Sequence, residues 1–180
     1  IEGITEGVWR FILTSNNIVD GKYYAWILQR ELLDENTRFL NPSPYTTLTI
    51  PGTAKTIINT SYYNQNNGAI VSESGRGYTM KDYIQPIITA GGINAITTKP
   101  GGGTITMSGA SVAGAILAGC CALIIQWAVV DGNDPQMYAT KLQAYIIRGA
   151  RKREGDTYPN RQWGYGILDM QEIFKSLTNK

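Results

Sequence analysis

The feature that most constrains this chain is one apolar run. Gly109 to Val130 is broken only by Ser111 and Gln126, and Val112 to Val130 is long enough to span a bilayer as a helix. A helix buried on all sides in a soluble core has the same composition. Three features favour the core. The first half is built from small residues (Ala110, Ala113, Gly114, Ala115, Ala118, Gly119), which allow neighbouring strands close but add little hydrophobicity. No basic cluster flanks either end, as a cytoplasmic anchor would require. Gly-rich turns precede the run, and Asp131-Gly132-Asn133-Asp134-Pro135 ends it. The expectation is a fully enclosed helix and no membrane contact.

The flanking sequence predicts what encloses it. Val8 to Leu13 and Tyr23 to Leu28, around Asp20-Gly21, have the β-branched and aromatic content of paired strands. Asn41-Pro42-Ser43-Pro44 then breaks any element, so residues 1–45 read as the end of a β-rich unit and 46–180 as a different layer. Within 46–180, strands are expected over 56–62, 69–72 and 87–90, with a short edge strand over 104–107. A second helix is expected from Pro135, at a first-turn position where proline is favoured, to about Arg148. A third, amphipathic helix begins at Asp169. Strands followed by helices make the fold class α/β.

Composition excludes more than it assigns. A chain with 43% hydrophobic and 17% charged residues is not disordered, and a net charge of +2 favours neither nucleic acid nor an anionic membrane as partner. Cys120 and Cys121 are adjacent, cannot readily pair with each other, and read as small buried core residues. The chain has no histidine, no metal-ligand spacing and no cofactor motif. Lys99-Pro100-Gly101-Gly102-Gly103 lacks the ending of a phosphate loop and reads as a plain loop. The basic run Arg148, Arg151, Lys152, Arg153 complements a helix C-terminus and reads as solvated. The eleven tyrosines read as half-buried strand residues.

Ser108-Gly109-Ala110-Ser111 enters the apolar helix. A hydroxyl at this end lies beside unpaired backbone N–H groups and the positive pole of the helix. A serine here can be a plain N-cap, the commoner case. It can also be a nucleophile, with its own N–H donating to the oxyanion of a tetrahedral intermediate. Local physics leaves both readings open.

The longer pattern separates them. Met107-Ser108-Gly109-Ala110-Ser111-Val112-Ala113-Gly114-Ala115-Ile116-Leu117-Ala118-Gly119 resembles the nucleophile motif of the subtilisin-like proteases, Met-Ser-Gly-Thr-Ser-Met-Ala-x-Pro-His-Val-Ala-Gly. Ser74-Gly75-Arg76-Gly77 and Gln85 to Ile93 are similar to the family's segment before that loop, and Gly164-Tyr165-Gly166-Ile167-Leu168-Asp169 to a turn near the end of its catalytic domain. The resemblance implies a subtilisin-like parallel sheet with a central buried helix. Ser111 would be the nucleophile, and Ser108, Gly109 and Ala110 would line the substrate cleft. Ala110 stands where the family has Thr, whose hydroxyl assists the oxyanion, and Ala115-Ile116 stand where it has Pro-His. Gly7-Val8-Trp9 with Asp20 to Trp26 resembles the jelly-roll insertion of the clostridial spore-germination subtilases, which would place the protein in the spore or outside the cell.

In such proteases the base His, its Asp and the oxyanion Asn precede the serine in chain order. Residues 1–180 would then be inactive alone, and the start at Ile1 reads as a fragment or processed product. The expected partners are an N-terminal half of the same protease, as precursor or companion chain, and a protein or peptide substrate. The alternative implied by the same resemblance is an inactive pseudoprotease that acts in binding or signalling.

Overall fold

The computed structural model describes residues 5–28 and 32–178. The chain divides into two compact units, Ile1–Pro42 and Ser43–Lys180.

In the first unit no strand forms among the described residues. The apolar side chains that read as two strands are largely in solvent, with Phe11 84% and Val19 96% exposed. Strand propensity becomes a strand only when a neighbour takes up its N–H and C=O groups in a ladder. Tyr24 and Trp26 stack at 5.5 Å.

The second unit is built on β1 (Thr60–Asn64), β2 (Ala69–Ile70) and β3 (Ile88–Gly91), in the order β2-β1-β3. β1 and β3 are parallel, with Thr60 opposite Ile88 and Tyr63 opposite Gly91; β2 runs antiparallel to β1. β1 starts four residues later than the sequence implies, for an identifiable reason. Gln85, 1% exposed, donates from Nε2 to the carbonyls of Ala54 and Ile57. Asn59 caps the strand start, accepting the Thr60 N–H at 2.9 Å. The segment before Thr60 therefore satisfies its polar groups as a loop. β2 ends at Ile70, beyond which Val71 enters a turn closed by the Ser74 N–H.

A separate antiparallel hairpin pairs β4 (Ala95–Thr98) with β5 (Thr104–Met107), across the Lys99–Gly103 loop. β5 has the expected bounds; its partner β4 was not anticipated. Of the tyrosines, Tyr62 is buried and Tyr63 half-buried on β1, whereas Tyr23 and Tyr138 are exposed and on no strand.

Helix α1 (Ala110–Ile125) follows β5 and continues into a π-helical turn, Gln126–Val130. Here the structure corrects the expectation of a helix enclosed on all sides. Only the stripe Ala113, Leu117, Cys120, Ile124 and Ala128 is buried, and it faces β1 and β3. Ile116, Leu123, Ile125, Val129 and Val130 are between 39% and 75% exposed. The physical reason is that one sheet face and α2 cover one side of a cylinder only. The stretch Ala110–Val130 remains long and apolar enough to cross a membrane by length and composition. Cys120 is buried and Cys121 half-buried, both as free thiols that burial pushes above their ordinary range.

Helix α2 spans Ala139–Arg148, four residues later than Pro135. The delay follows from Asp134, whose carboxylate accepts from Lys141 Nζ at 2.5 Å and from the Tyr145 hydroxyl at 2.7 Å. The intervening residues loop out so that this carboxylate lies beside the first turns. Helix α3 (Met170–Thr178) begins where Asp169 accepts the Glu172 N–H at 3.1 Å. Its Ile173 and Leu177 join Ile88, Leu117, Ile124, Leu142 and Ile146 in the main core.

Residues 165–168 lie along β3. Tyr165 donates its N–H to Ile87, Leu168 to Thr89, and Thr89 to Gly166, all at 2.8–2.9 Å. The late Gly-Tyr-Gly turn is thus stitched to the strand that leads towards Ser111.

Ile124 is fully buried at the centre of this core, so Ile124→Ala is expected to lower stability by roughly 2–5 kcal/mol in chemical unfolding of the complete protein. A second expectation concerns Asp134, whose hydrogen bonds from Lys141 and Tyr145 hold its carboxyl below the usual carboxylate range. A depressed folded-state pKa stabilises above the unfolded-state value, and the effect is lost as pH falls through the folded-state one. Asp134→Asn is therefore expected to lower the Tm at neutral pH. The gap to wild type should close as the pH is taken below the ordinary carboxylate range.

Candidate active site

Ser111 is the second residue of α1. Its place follows from the preceding glycine. Gly109 has φ 141° and ψ 169°, a conformation closed to L side chains, and from it the chain turns directly into the helix. The Gly109 carbonyl accepts the N–H groups of Val112 at 3.2 Å and Ala113 at 3.3 Å, so the Ala110 and Ser111 amides precede the first helical bonds. Ser111 is exposed and no side chain caps the helix, so the N-cap role that local physics allowed is unused. Ser111 is thus exposed at the positive helix end, its amide ahead of the first helical bonds.

The loop is clamped from below. Gly109 donates its N–H to the carbonyl of Gly92 at 2.8 Å, one residue past the end of β3. A Cβ on Gly92 would stand 2.7 Å from the Tyr62 ring and 2.9 Å from the Gly109 carbonyl, so only glycine permits this approach. The Ser108 hydroxyl accepts the Asn94 N–H at 2.9 Å. Ser108, named from sequence as a cleft residue, thus has its hydroxyl engaged in holding the two loops together. Gly109 is half-buried and Ala110 exposed beside Ser111, with no hydroxyl at position 110.

Sequence reasoning missed the buried polar support beneath this clamp. Ser61 on β1 and Thr89 on β3 share a 2.5 Å hydrogen bond between hydroxyls, and Ser61 also donates to the Gln162 carbonyl at 2.7 Å. Ser74, only 3% exposed, accepts the Tyr62 N–H at 3.0 Å. The one available signal was a hydroxyl residue within each short apolar run. The four motif segments are physically connected: Ser74 to β1, the Gln85–Ile93 segment through β3 and Gly92 to the nucleophile loop, and residues 164–169 to β3.

The chain has no histidine, and among the described residues no group of three or more His, Cys, Asp or Glu side chains could hold a metal. The arrangement presents an exposed serine whose amide precedes the first helical bonds.

The sequence pattern of the subtilase family matches residues 36–166. Among solved structures, the chain is similar to the CspB protease of Clostridium perfringens at 37% identity and a TM-score of 0.75, over 80% of this chain and 32% of that one. It is also similar to the prenylagaramide maturation protease PagA (26% identity, TM-score 0.60, 75% of this chain and 47% of that one). The patellamide maturation protease PatA is comparable, at 26% identity and a TM-score of 0.61, over 76% of this chain and 48% of that one. No curated protein matches the sequence. The chain thus spans between a third and a half of the length of these structures. With the family's pattern covering most of its residues and its motif segments joined around Ser111, the chain belongs to the subtilase family.

Proposed function

We propose that this chain is the nucleophile-bearing, C-terminal part of a serine endopeptidase that cleaves peptide bonds through an acyl-enzyme on Ser111. The observation that carries the reading is the exposed Ser111, its amide ahead of the first helical bonds, at a helix tip fixed to the sheet by Gly109 and Gly92. The Ser111 oxygen attacks the scissile carbonyl, and its proton passes to a histidine oriented by an aspartate, both from an N-terminal part outside this chain. The Ser111 N–H and the helix pole stabilise the oxyanion, with an asparagine from the same N-terminal part as second donor. Collapse of the intermediate expels the amine, and water releases the acyl group. Gly109 and Ala110 form one edge of the cleft, while Ser108 shapes that edge through Asn94.

Similarity to the CspB protease supports a place among the spore-germination subtilases, and hence in the spore or outside the cell. Residues 1–45 are then the end of a β-rich, jelly-roll-like insertion, which would cover side chains such as Phe11 and Val19 that are exposed here.

The decisive measurement is labelling of the complete protein with a fluorophosphonate probe. Label is expected on Ser111 and should vanish in Ser111→Ala. Absence of label from a folded complete protein would establish instead the inactive, partner-binding pseudoprotease. Gly109→Ala has open space for its methyl group but a forbidden φ, so it should displace the helix tip rather than clash. Its labelling rate is expected to fall about 100-fold, the scale of an ångström-sized misplacement. A near-normal rate would mean that the glycine conformation does not position the nucleophile.

A further inference from the structure

Away from Ser111, the loop 151–163 carries an arrangement that the protease reading does not use. Three of its cations lie on aromatic rings: Lys152 Nζ is 4.7 Å from the Tyr158 ring centre, the Arg153 guanidinium 4.5 Å from that of Trp163, and Arg161 5.2 and 5.3 Å from those of Tyr45 and Tyr78. Lys152 and Arg153 are exposed, as the sequence reading has them, and each also lies over a ring. Arg153 and Arg161 face one groove of about 460 Å³, with Tyr45, Asp156 and Trp163 among its walls.

The frame around the two arginines is fixed. Asn160 accepts the N–H groups of Gln162 and Trp163 at 3.1 and 2.8 Å and donates to the Thr157 carbonyl at 2.9 Å, so its side chain holds the loop. The Arg161 carbonyl accepts the Gly77 N–H at 2.8 Å, and the Tyr78 hydroxyl donates to Pro159 at 3.0 Å. A guanidinium lying against rings has lost part of its rotamer freedom, while its N–H edge stays available for a two-point bond to a carboxylate. Arg153 already pairs with Asp156 at 3.5 Å. Among the described residues no carboxylate is in ion-pair contact with Arg161, and its side chain is exposed.

We propose that this groove docks an acidic peptide segment of a partner protein, with a partner carboxylate forked onto Arg161 and a neighbouring residue lying on the Tyr45 ring. Glu154 and Asp156 belong to the same loop and repel dense polyanions. That selects spaced carboxylates over nucleic acid, free phosphate or an anionic bilayer. The proposal is independent of Ser111 and of whether the protein cuts peptides.

The test uses the complete protein with Ser111→Ala, so that no probe is consumed. A fluorescent Gly-Ser peptide carrying spaced glutamates is titrated by anisotropy at low and high salt, beside the same peptide with glutamines. Salt-sensitive binding of the glutamate peptide is expected, at least about tenfold tighter than the glutamine peptide, as for one charge-assisted hydrogen-bonded pair. Arg161→Gln should weaken it about tenfold. Arg161→Lys, which keeps the charge but not the fork, should also weaken it while leaving the Tm unchanged. Equal binding of the two peptides, no binding, unaltered affinity in both variants, or equal capture of inorganic phosphate or phosphatidylserine vesicles would each overturn the proposal.

Discussion

The placement of Ser111 depends on one main-chain hydrogen bond, from the Gly109 N–H to the Gly92 carbonyl. It joins the residue after β3 to the residue before α1, and so fixes the tip of a long helix against the end of a parallel sheet. Each partner is glycine for a different reason. At Gly92 any side chain would strike Tyr62 and the Gly109 carbonyl, whereas at Gly109 there is space but no permitted backbone angle. The Asn94–Ser108 contact repeats the tie two residues further along on one strand and one residue back on the other. Two hydrogen bonds across one loop pair fix the helix start that carries Ser111.

Beneath that tie, the sheet is held by polar as well as apolar burial. The Ser61–Thr89 hydroxyl pair lies between strands whose outward supports are Ile87, Ile88 and Ala90, all at most 3% exposed. Buried hydroxyls are tolerated only when satisfied, and here the Gln162 carbonyl completes them. The same contact carries the order of the core to the 160–168 segment, which returns along β3 through three further backbone bonds. The Ser108–Ser111 loop, the sheet and the late Gly-Tyr-Gly turn are therefore joined by hydrogen bonds, although they are spread over a hundred residues of sequence.

Much of this was legible beforehand, and the failures share a cause. The α1 helix, its Ser111 tip and the edge strand over 104–107 follow from local pattern, because a small-residue apolar helix and a β-branched pair advertise themselves. The start of β1 and the start of α2 do not, since they were decided by side chains acting from outside each element: Gln85 reaching the Ala54 and Ile57 carbonyls, and Asp134 reaching Lys141 and Tyr145. The two strands expected between Val8 and Leu28 had the right residue types, yet neither is a strand among the described residues. Hydrophobicity states what must be covered, and says nothing about what supplies the cover.

That distinction also explains α1 itself. Its composition is apolar all round, yet only the stripe through Ala113, Leu117, Cys120 and Ile124 meets the sheet, and Ile116, Leu123 and Val130 stand in solvent. A helix stabilised only by this chain would gain from polar residues on the open side, since exposed leucine and valine contribute nothing to folding and invite association. Position by position, Ser111 lies on that open side with Ala115, Ala118 and Ala122, one above another at helical spacing. The face that lacks cover is therefore the face that bears Ser111, the proposed nucleophile. On the proposed reading, a part of the protein that covered this open side would come up against Ser111 as well, so burial of the helix and delivery of a base to the serine would be compatible demands.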